Sequence, residues 1–214
     1  MGKTEKLNEL FEKWKKEHEK ELDINNKDNQ STIPSLKISK DSFTYDGFIF
    51  DEKDNTVLYM LAESNLEGKI KDNETFWLKS VYKIRNNNLK ITKRIEQMQE
   101  YLCNKIPELS MKDISYMNIN KRGGFAECNK QTLYNYYSRY KENILREIEI
   151  INPKIIVFCA GNKAIYDDLK ENVKCKYIID MYHPSYRYWS IEKFKEEFEK
   201  VLEKYRLLEN LYEK

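Results

Sequence analysis

A histidine stands where an apolar run of the chain is stopped by a proline. Residues 177–181 are apolar except for Asp180 and include two adjacent isoleucines, and they lead into His183, Pro184 and Ser185. A short apolar run ended by a breaker predicts a buried strand, because proline cannot donate a ladder hydrogen bond. The imidazole is therefore expected at the carboxyl end of a strand, where open α/β sheets bind their ligands. A turn histidine that only satisfies its own loop is the alternative.

Polar side chains follow two other predicted strands in the same way. In a parallel sheet the carboxyl ends of the strands share one edge, so these side chains are expected near His183. An imidazole can stabilise charge on a leaving group, and a carboxylate can orient water or steady a cationic transition state. A carboxamide can pair with the edge of a nucleobase, and two cations beside glycines can hold a phosphate. The residues are Glu63, Ser64, Asn65, Asn118, Lys121 and Arg122.

Each of these residues also has a purely structural interpretation. Glu63 could cap the helix that follows it, and Asn118 could be a turn residue at the end of its strand. Lys121 and Arg122 could form a solvated turn with the two glycines after them. Convergence with His183 at one edge is what favours a functional site over any of these alternatives.

Apolar segments and helical periodicity along the chain predict the strands and helices that position these residues. Strands are predicted at 56–62, 113–120, 154–160 and 177–181, and helical periodicity appears at 74–86, 88–106, 130–151, 162–171 and 191–211. Four buried strands separated by helices imply a parallel sheet covered on both faces, joined by right-handed crossovers. The predicted fold is an α/β three-layer sandwich with a central four-stranded parallel sheet.

The N-terminal segment is predicted to be an amphipathic helix followed by a linker. Residues 4–22 carry apolar side chains at helical spacing, with His18 as a packing residue on or beside that face, and 25–32 is polar and turn-rich. We expect this helix and linker at 1–32 and one α/β domain at 33–214. The sequence leaves open whether the helix docks on its own domain or on a second copy.

Composition narrows the class of protein only moderately. The 214 residues carry 38 lysines and arginines against 36 acidic residues, for a net charge of +2, which neither demands nor excludes a nucleic-acid partner. No apolar run approaches a membrane span, and the charged N-terminus does not resemble a secretory signal, so a cytoplasmic protein without a membrane partner is expected. The four cysteines form no C-x-x-C pair, so neither a metal nor another cofactor is expected.

The order of these motifs resembles that of the uracil-DNA glycosylase superfamily, in particular its bacterial and archaeal iron–sulfur branch. The resemblance covers roughly residues 56–190 and lies in the order and spacing of the motifs. The first loop lacks the family's proline and second glycine, and the cysteines that hold the family's cluster are absent. The corresponding segments here are Ala62-Glu63-Ser64-Asn65-Leu66, Met117-Asn118-Ile119-Asn120-Lys121, residues 153–161 and His183-Pro184-Ser185.

The resemblance implies a uracil-DNA glycosylase-like fold and the removal of uracil or another damaged base from DNA, as in base excision repair. Glu63 would handle the water or the sugar cation, Asn118 would read the base, and His183 would stabilise the departing base. DNA, single- or double-stranded and with a flipped base, would be the partner. Substrate contacts would come from Ser64, Asn65, Phe76, Asn118 and Ser185, and DNA contacts from Lys121, Arg122, Tyr186 and Arg187.

Two alternatives remain open at this point. One is a catalytically inactive relative that binds nucleic acid or a nucleotide. The other is a doubly wound domain that binds a small phosphate ligand near residues 121–124, although no G-x-G-x-x-G fingerprint follows the first strand. The sequence leaves the oligomeric state and the strand preference open.

Overall fold

The computed structural model describes residues 2–28, 43, 47–48, 57–65, 90–124 and 128–204. Within them, strands and helices alternate as the apolar runs predicted. The helices are α1 (Lys3–Asp28), α2 (Lys90–Lys105), α3 (Lys130–Ile151), α4 (Lys163–Asn172) and α5 (Ile191–Lys204); the strands are β1 (Gly47–Phe48), β2 (Val57–Asn65), β3 (Ile114–Gly124), β4 (Ile155–Phe158) and β5 (Tyr177–Asp180).

Five strands form one sheet in the order β1-β3-β2-β4-β5. Strands β2 to β5 are all parallel, which confirms the predicted four-stranded parallel sheet. The two residues of β1 add a short antiparallel strand at the edge, paired with β3. Residues 57–62 of β2 and 155–158 of β4 are apolar and buried, as expected for strands that are covered on both faces.

Helices cover both faces of the sheet, so the described part of the chain has three layers. One core joins α1, α3 and α4 to a sheet face that includes Met60 and Phe158. The second core joins α2 and α5 to the opposite face, which includes Tyr59 and Val157. Alternation along each strand assigns side chains to the two cores, as a period of two requires. The α/β sandwich is thus shown.

The N-terminal helix packs on its own chain. α1 extends to Asp28, beyond the predicted end at residue 22, and so occupies part of the predicted linker. Trp14 is completely buried, and its ring stacks on Tyr136 of α3 with centroids 6.3 Å apart. His18 is also buried, and Nε2 lies 2.8 Å from the Tyr136 hydroxyl, which confirms it as a packing histidine.

Capping side chains set the ends of the helices near the sheet edge. Asn129 caps α3 by accepting from the backbone N–H of Thr132 at 3.0 Å, and Asn162 caps α4 by accepting from Ile165 at 3.3 Å. Both helices therefore begin at the edge where the parallel strands end, and both direct their N–H groups towards it.

One predicted boundary differs from the structure, and two predicted segments lie wholly or partly outside the described residues. β3 continues to Gly124, through the segment predicted to be a loop from Lys121 onward, because that segment still pairs with β2. The predicted helix at 74–86 and the last part of the predicted helix at 191–211 lie outside the described residues. In the part of the chain that is described, no helix is both long and apolar enough to cross a membrane.

Candidate functional site at the carboxyl edge of the sheet

The strand register pairs two of the predicted loop positions and places two others just beyond the ends of their strands. Glu63 on β2 is paired with Asn120 on β3. The parallel ladders pair Met60 with Phe158 and Phe158 with Asp180, and three further residues lead to Gly161 and His183. Neighbouring strands lie about 4.8 Å apart, so about 10 Å separates β2 from β5 where both flank β4. Glu63 and His183 therefore follow two strands of the sheet that are separated by one other strand.

Glu63 is held by two neighbours. The side-chain amide of Asn120 donates to the Glu63 carboxylate at 3.0 Å. The Cys128 thiol, just before α3, also hydrogen-bonds to this carboxylate. Burial, with the negative charge of Glu63 as the next cause, raises the pKa of Cys128 to about 12, so the thiol keeps its proton. Glu63 is therefore an oriented carboxylate that accepts from two donors.

His183 has a fixed ring orientation and a defined tautomer. The backbone N–H of Ser185 donates to Nδ1 at 3.1 Å, and the Ser185 hydroxyl lies 2.7 Å from the same nitrogen. A nitrogen that accepts from an N–H carries no proton, so the proton of the neutral ring is on Nε2. Burial lowers the pKa of His183 to about 4, which keeps the ring neutral at physiological pH. Nε2–H is thus a neutral donor directed away from the loop.

Gly161 follows β4, the strand that lies between β2 and β5 in the sheet. Its φ of 65° is in the left-handed region, where glycine is favoured, and a Cβ built there would meet no atom within 4 Å. Among the described residues, a methyl group at this position would therefore meet no neighbour. The N-termini of α3 and α4 face the same edge, and their partial positive charge favours an anion there.

Four aromatic rings flank His183 in the chain and form one cluster. Tyr182 and Trp189 have centroids 4.3 Å apart, and Tyr186 lies 5.1 Å from Tyr182 and 5.5 Å from Tyr188. Tyr188 is 86% exposed and Tyr182 is 51% exposed. Aromatic side chains with this exposure beside a site are suited to stacking on unpaired bases. We call Tyr182, Tyr186, Tyr188 and Trp189 the aromatic cluster.

The structure places Lys121 and Asn118 differently from the sequence-based expectation. Lys121, predicted to contact DNA, is fully buried within β3, and its ammonium forms an ion pair with Glu147 at 2.8 Å. It therefore offers no charge to a phosphate at the surface. Asn118, predicted to read the base, is only 3% exposed and pairs with Leu61, two residues deeper than the Glu63 level.

Other predicted site residues fall into two groups. Ser185 lies at the site, but its contacts are with His183. Tyr186 belongs to the aromatic cluster, and Arg187 is exposed beside it. Phe76 lies outside the described residues, and the side chains of Ser64, Asn65 and Arg122 do too.

Two residues of the site were not singled out from the sequence. Asn120 bonds to Glu63, and the signal for it was its position two residues after Asn118, on the same face of β3. Arg94 is fully buried on α2 and donates to the backbone of the segment after His183. The sequence indicated it by spacing: Arg94 lies four residues before Met98 and eight before Leu102, which places a charge on the apolar face of a predicted helix.

No family model and no curated protein matches this chain. The site is therefore interpreted from its own geometry. Within the described residues, no group of three or more His, Cys, Asp or Glu side chains is placed to hold a metal ion.

Proposed function

We propose that this protein is a glycosylase of the uracil-DNA glycosylase type, which hydrolyses the N-glycosidic bond of uracil or another damaged base in DNA. The proposal is supported by two groups at the carboxyl edge of the sheet: the neutral His183, whose Nδ1 accepts from the Ser185 N–H, and the Glu63 carboxylate, which Asn120 orients. A donor that stabilises an anion and a carboxylate are the two groups that this reaction needs.

In the proposed reaction the bond from the sugar C1′ to the base nitrogen breaks, and its electron pair leaves with the base. The base then carries a negative charge, on its ring nitrogen and carbonyl oxygens. His183 donates Nε2–H to this charge as it develops, and the N-termini of α3 and α4 favour the same anion. The pKa of about 4 keeps the ring neutral, and the N–H of a neutral imidazole is too weak an acid to give up its proton, so His183 acts here as a hydrogen-bond donor.

Glu63 acts on the sugar in the same step. Its carboxylate stabilises the positive charge that develops at C1′ and orients the water that adds there. The water oxygen forms the new bond to C1′, and its released proton neutralises the departed base anion. Asn120 fixes the carboxylate by donating to it, so Asn120 takes a positioning role that the sequence did not assign.

The aromatic cluster and Arg187 form the proposed DNA contact. A base that leaves the duplex loses its stacking on neighbouring bases, and the exposed tyrosines beside His183 can provide an aromatic stacking contact in exchange. Arg187 is exposed in the same segment and can pair with a phosphate. Lys121 is not part of this surface, because its charge is buried with Glu147.

A second candidate function is nucleic-acid binding without excision. The exposed rings of Tyr182 and Tyr188 favour it, because they provide a binding surface that needs no chemistry at Glu63. The buried position of Asn118 also favours it, because the predicted base reader lies below the level of the cleft.

A screen of excision separates these two functions. End-labelled oligonucleotides carrying uracil, hypoxanthine or xanthine, single- and double-stranded, are incubated with the protein and with His183→Ala, and abasic sites are cleaved by alkali. Lys170→Ala, at an exposed position in the last turn of α4, is the control. We expect cleavage that the control retains and His183→Ala loses. Binding to the same oligonucleotides without any cleavage would refute the glycosylase and establish the second function.

A further inference from the structure

Arg94 holds the segment after His183 through four main-chain carbonyls. Its side chain is completely buried on α2, and its guanidinium lies over the ring of Phe194, 4.6 Å from the centroid. Nη1 donates to two of the carbonyls at 2.9 and 2.8 Å, and Nη2 donates to the other two. A planar fork of donors makes this possible. The acceptors are the carbonyl oxygens of Pro184, Tyr186, Trp189 and Ser190.

The charge of Arg94 is unusual for a packing residue. In the described part of the chain no carboxylate pairs with it, and backbone carbonyls and the Phe194 ring take that place. Methionine would fill a similar volume without removing a charge from water. Its hydrogen bonds therefore orient the peptide groups around it, which apolar packing would not do.

One of those peptide groups leads directly to the imidazole. The carbonyl of Pro184 and the N–H of Ser185 belong to the same peptide unit and point in opposite directions when it is trans. Arg94 Nη1 binds the carbonyl at 2.9 Å, and the N–H donates to His183 Nδ1 at 3.1 Å. The donors thus run in one chain, in which each hydrogen bond polarises the next.

We propose that Arg94 is the positioning residue of this site: through the Pro184–Ser185 peptide it fixes the ring and the tautomer of His183, so that Nε2–H faces the cleft. Arg94 acts through His183 and does not touch the substrate. The consequence for catalysis rests on the proposed glycosylase function, whereas the consequence for the imidazole does not.

The test measures His183 directly, by long-range ¹H–¹⁵N NMR of the histidine rings across a pH titration. The chain has only two histidines, and His183→Asn assigns the signals. Arg94→Met removes the charge and keeps the bulk, and Arg94→Lys keeps the charge and loses the fork. Lys93→Met removes a charge from the adjacent, exposed position of α2 and is the control.

We expect His183 of the wild type and of Lys93→Met to titrate near pH 4 as the Nε2–H tautomer. In Arg94→Met the pKa rises towards the ordinary value and the Nδ1–H tautomer appears; Arg94→Lys shows the same changes to a smaller extent. Wild-type tautomer and titration in both Arg94 variants would overturn the proposal and leave Arg94 a stabilising residue. If Arg94→Met does not fold, Arg94→Lys decides alone.

Excision measured on the same proteins separates this proposal from the proposed function. We expect kcat to fall by about 10²-fold in Arg94→Met with KM nearly unchanged, because a misdirected donor weakens only the transition state. An unchanged kcat together with a changed tautomer would overturn the catalytic part. Excision by no protein, wild type included, with the tautomer still dependent on Arg94, would refute the glycosylase and support the positioning role.

Discussion

The ion pair between Lys121 and Glu147 should be a strong determinant of stability and should have no part in DNA binding. Lys121 lies on β3 and Glu147 on α3, both side chains are completely buried, and their charged atoms are 2.8 Å apart. The ammonium also lies over Phe11 and Trp14 of α1, at 5.2 and 5.4 Å from the ring centroids. The perturbation is to remove each partner separately, with Lys121→Met and Glu147→Leu, and then both together.

The expected magnitude follows from distance and burial. At 2.8 Å and an effective dielectric constant of 20, the attraction is about 6 kcal/mol. Removing one partner leaves the other charge buried without it, which costs about 3–5 kcal/mol. Removing both leaves no buried charge, so the double variant should lie within about 1–2 kcal/mol of the wild type. The single variants are thus strongly non-additive.

Urea unfolding followed by tryptophan fluorescence and circular dichroism measures these free energies. The partly exposed pair of Lys141 and Asp168, 2.6 Å apart, provides the control, and Lys141→Met should cost less than about 1 kcal/mol. Losses of less than 1 kcal/mol in both single variants, or a double variant as unstable as the sum of the two, would refute the reasoning. If Lys121 contacted DNA, the double variant would lose about one phosphate contact, and its affinity for DNA would depend less steeply on salt concentration.

Three further predictions concern the site itself. Because the pKa of His183 falls from 6.5 to about 4 on folding, the unfolded state binds more protons between these values, and stability should decrease as pH falls through this window. For a partly exposed ring the free energy of unfolding should fall by about 1–2 kcal/mol, and the fall should be complete below pH 4. Urea titrations at several pH values measure it, and His183→Gln should not show it. Cys128, with its pKa raised to about 12, should be alkylated slowly at pH 8. Glu63→Gln removes the negative charge next to this thiol, so the pKa of Cys128 should fall, and its alkylation should become about threefold faster for each unit of that fall. Peptide mass mapping measures the rate at each cysteine, and the rate at Cys175 should not change. Equal Cys128 rates in both proteins would exclude the contact. Gly161→Ala should lower the stability measured by thermal unfolding by about 1 kcal/mol, because the φ of this residue is 65°. It should also slow excision, because it adds a methyl group at the proposed base-binding position. An unchanged excision rate would contradict that position.

The sheet could be predicted from the sequence because its signals are local. Runs such as 154–160 are apolar, rich in β-branched residues and bounded by proline and glycine, and each became a buried strand or its end. The helix from Lys130 to Ile151 has a capping asparagine before it and an asparagine with φ of 51° after it, followed by proline. Such patterns depend only on neighbours in the chain.

The parts that could not be predicted depend on distant partners. Lys121 followed by arginine and two glycines is typical of a solvated turn, and only Glu147, 26 residues further on, explains its burial. Arg94 is a single cation in a helical pattern until the carbonyls of residues 184–190 surround it. The choice between Asn118 and Asn120 depends on strand register, which alternation alone does not determine.

The central claim is that the neutral His183 stabilises the anion of the departing base. The most direct measurement compares single-turnover excision of uracil and of its more acidic 5-fluoro analogue by the wild type and by His183→Ala. A base that is a better leaving group needs less stabilisation, so we expect a loss of about 10²–10³-fold on uracil and a clearly smaller loss on 5-fluorouracil. An equal loss on both bases, or no loss on either, would contradict it.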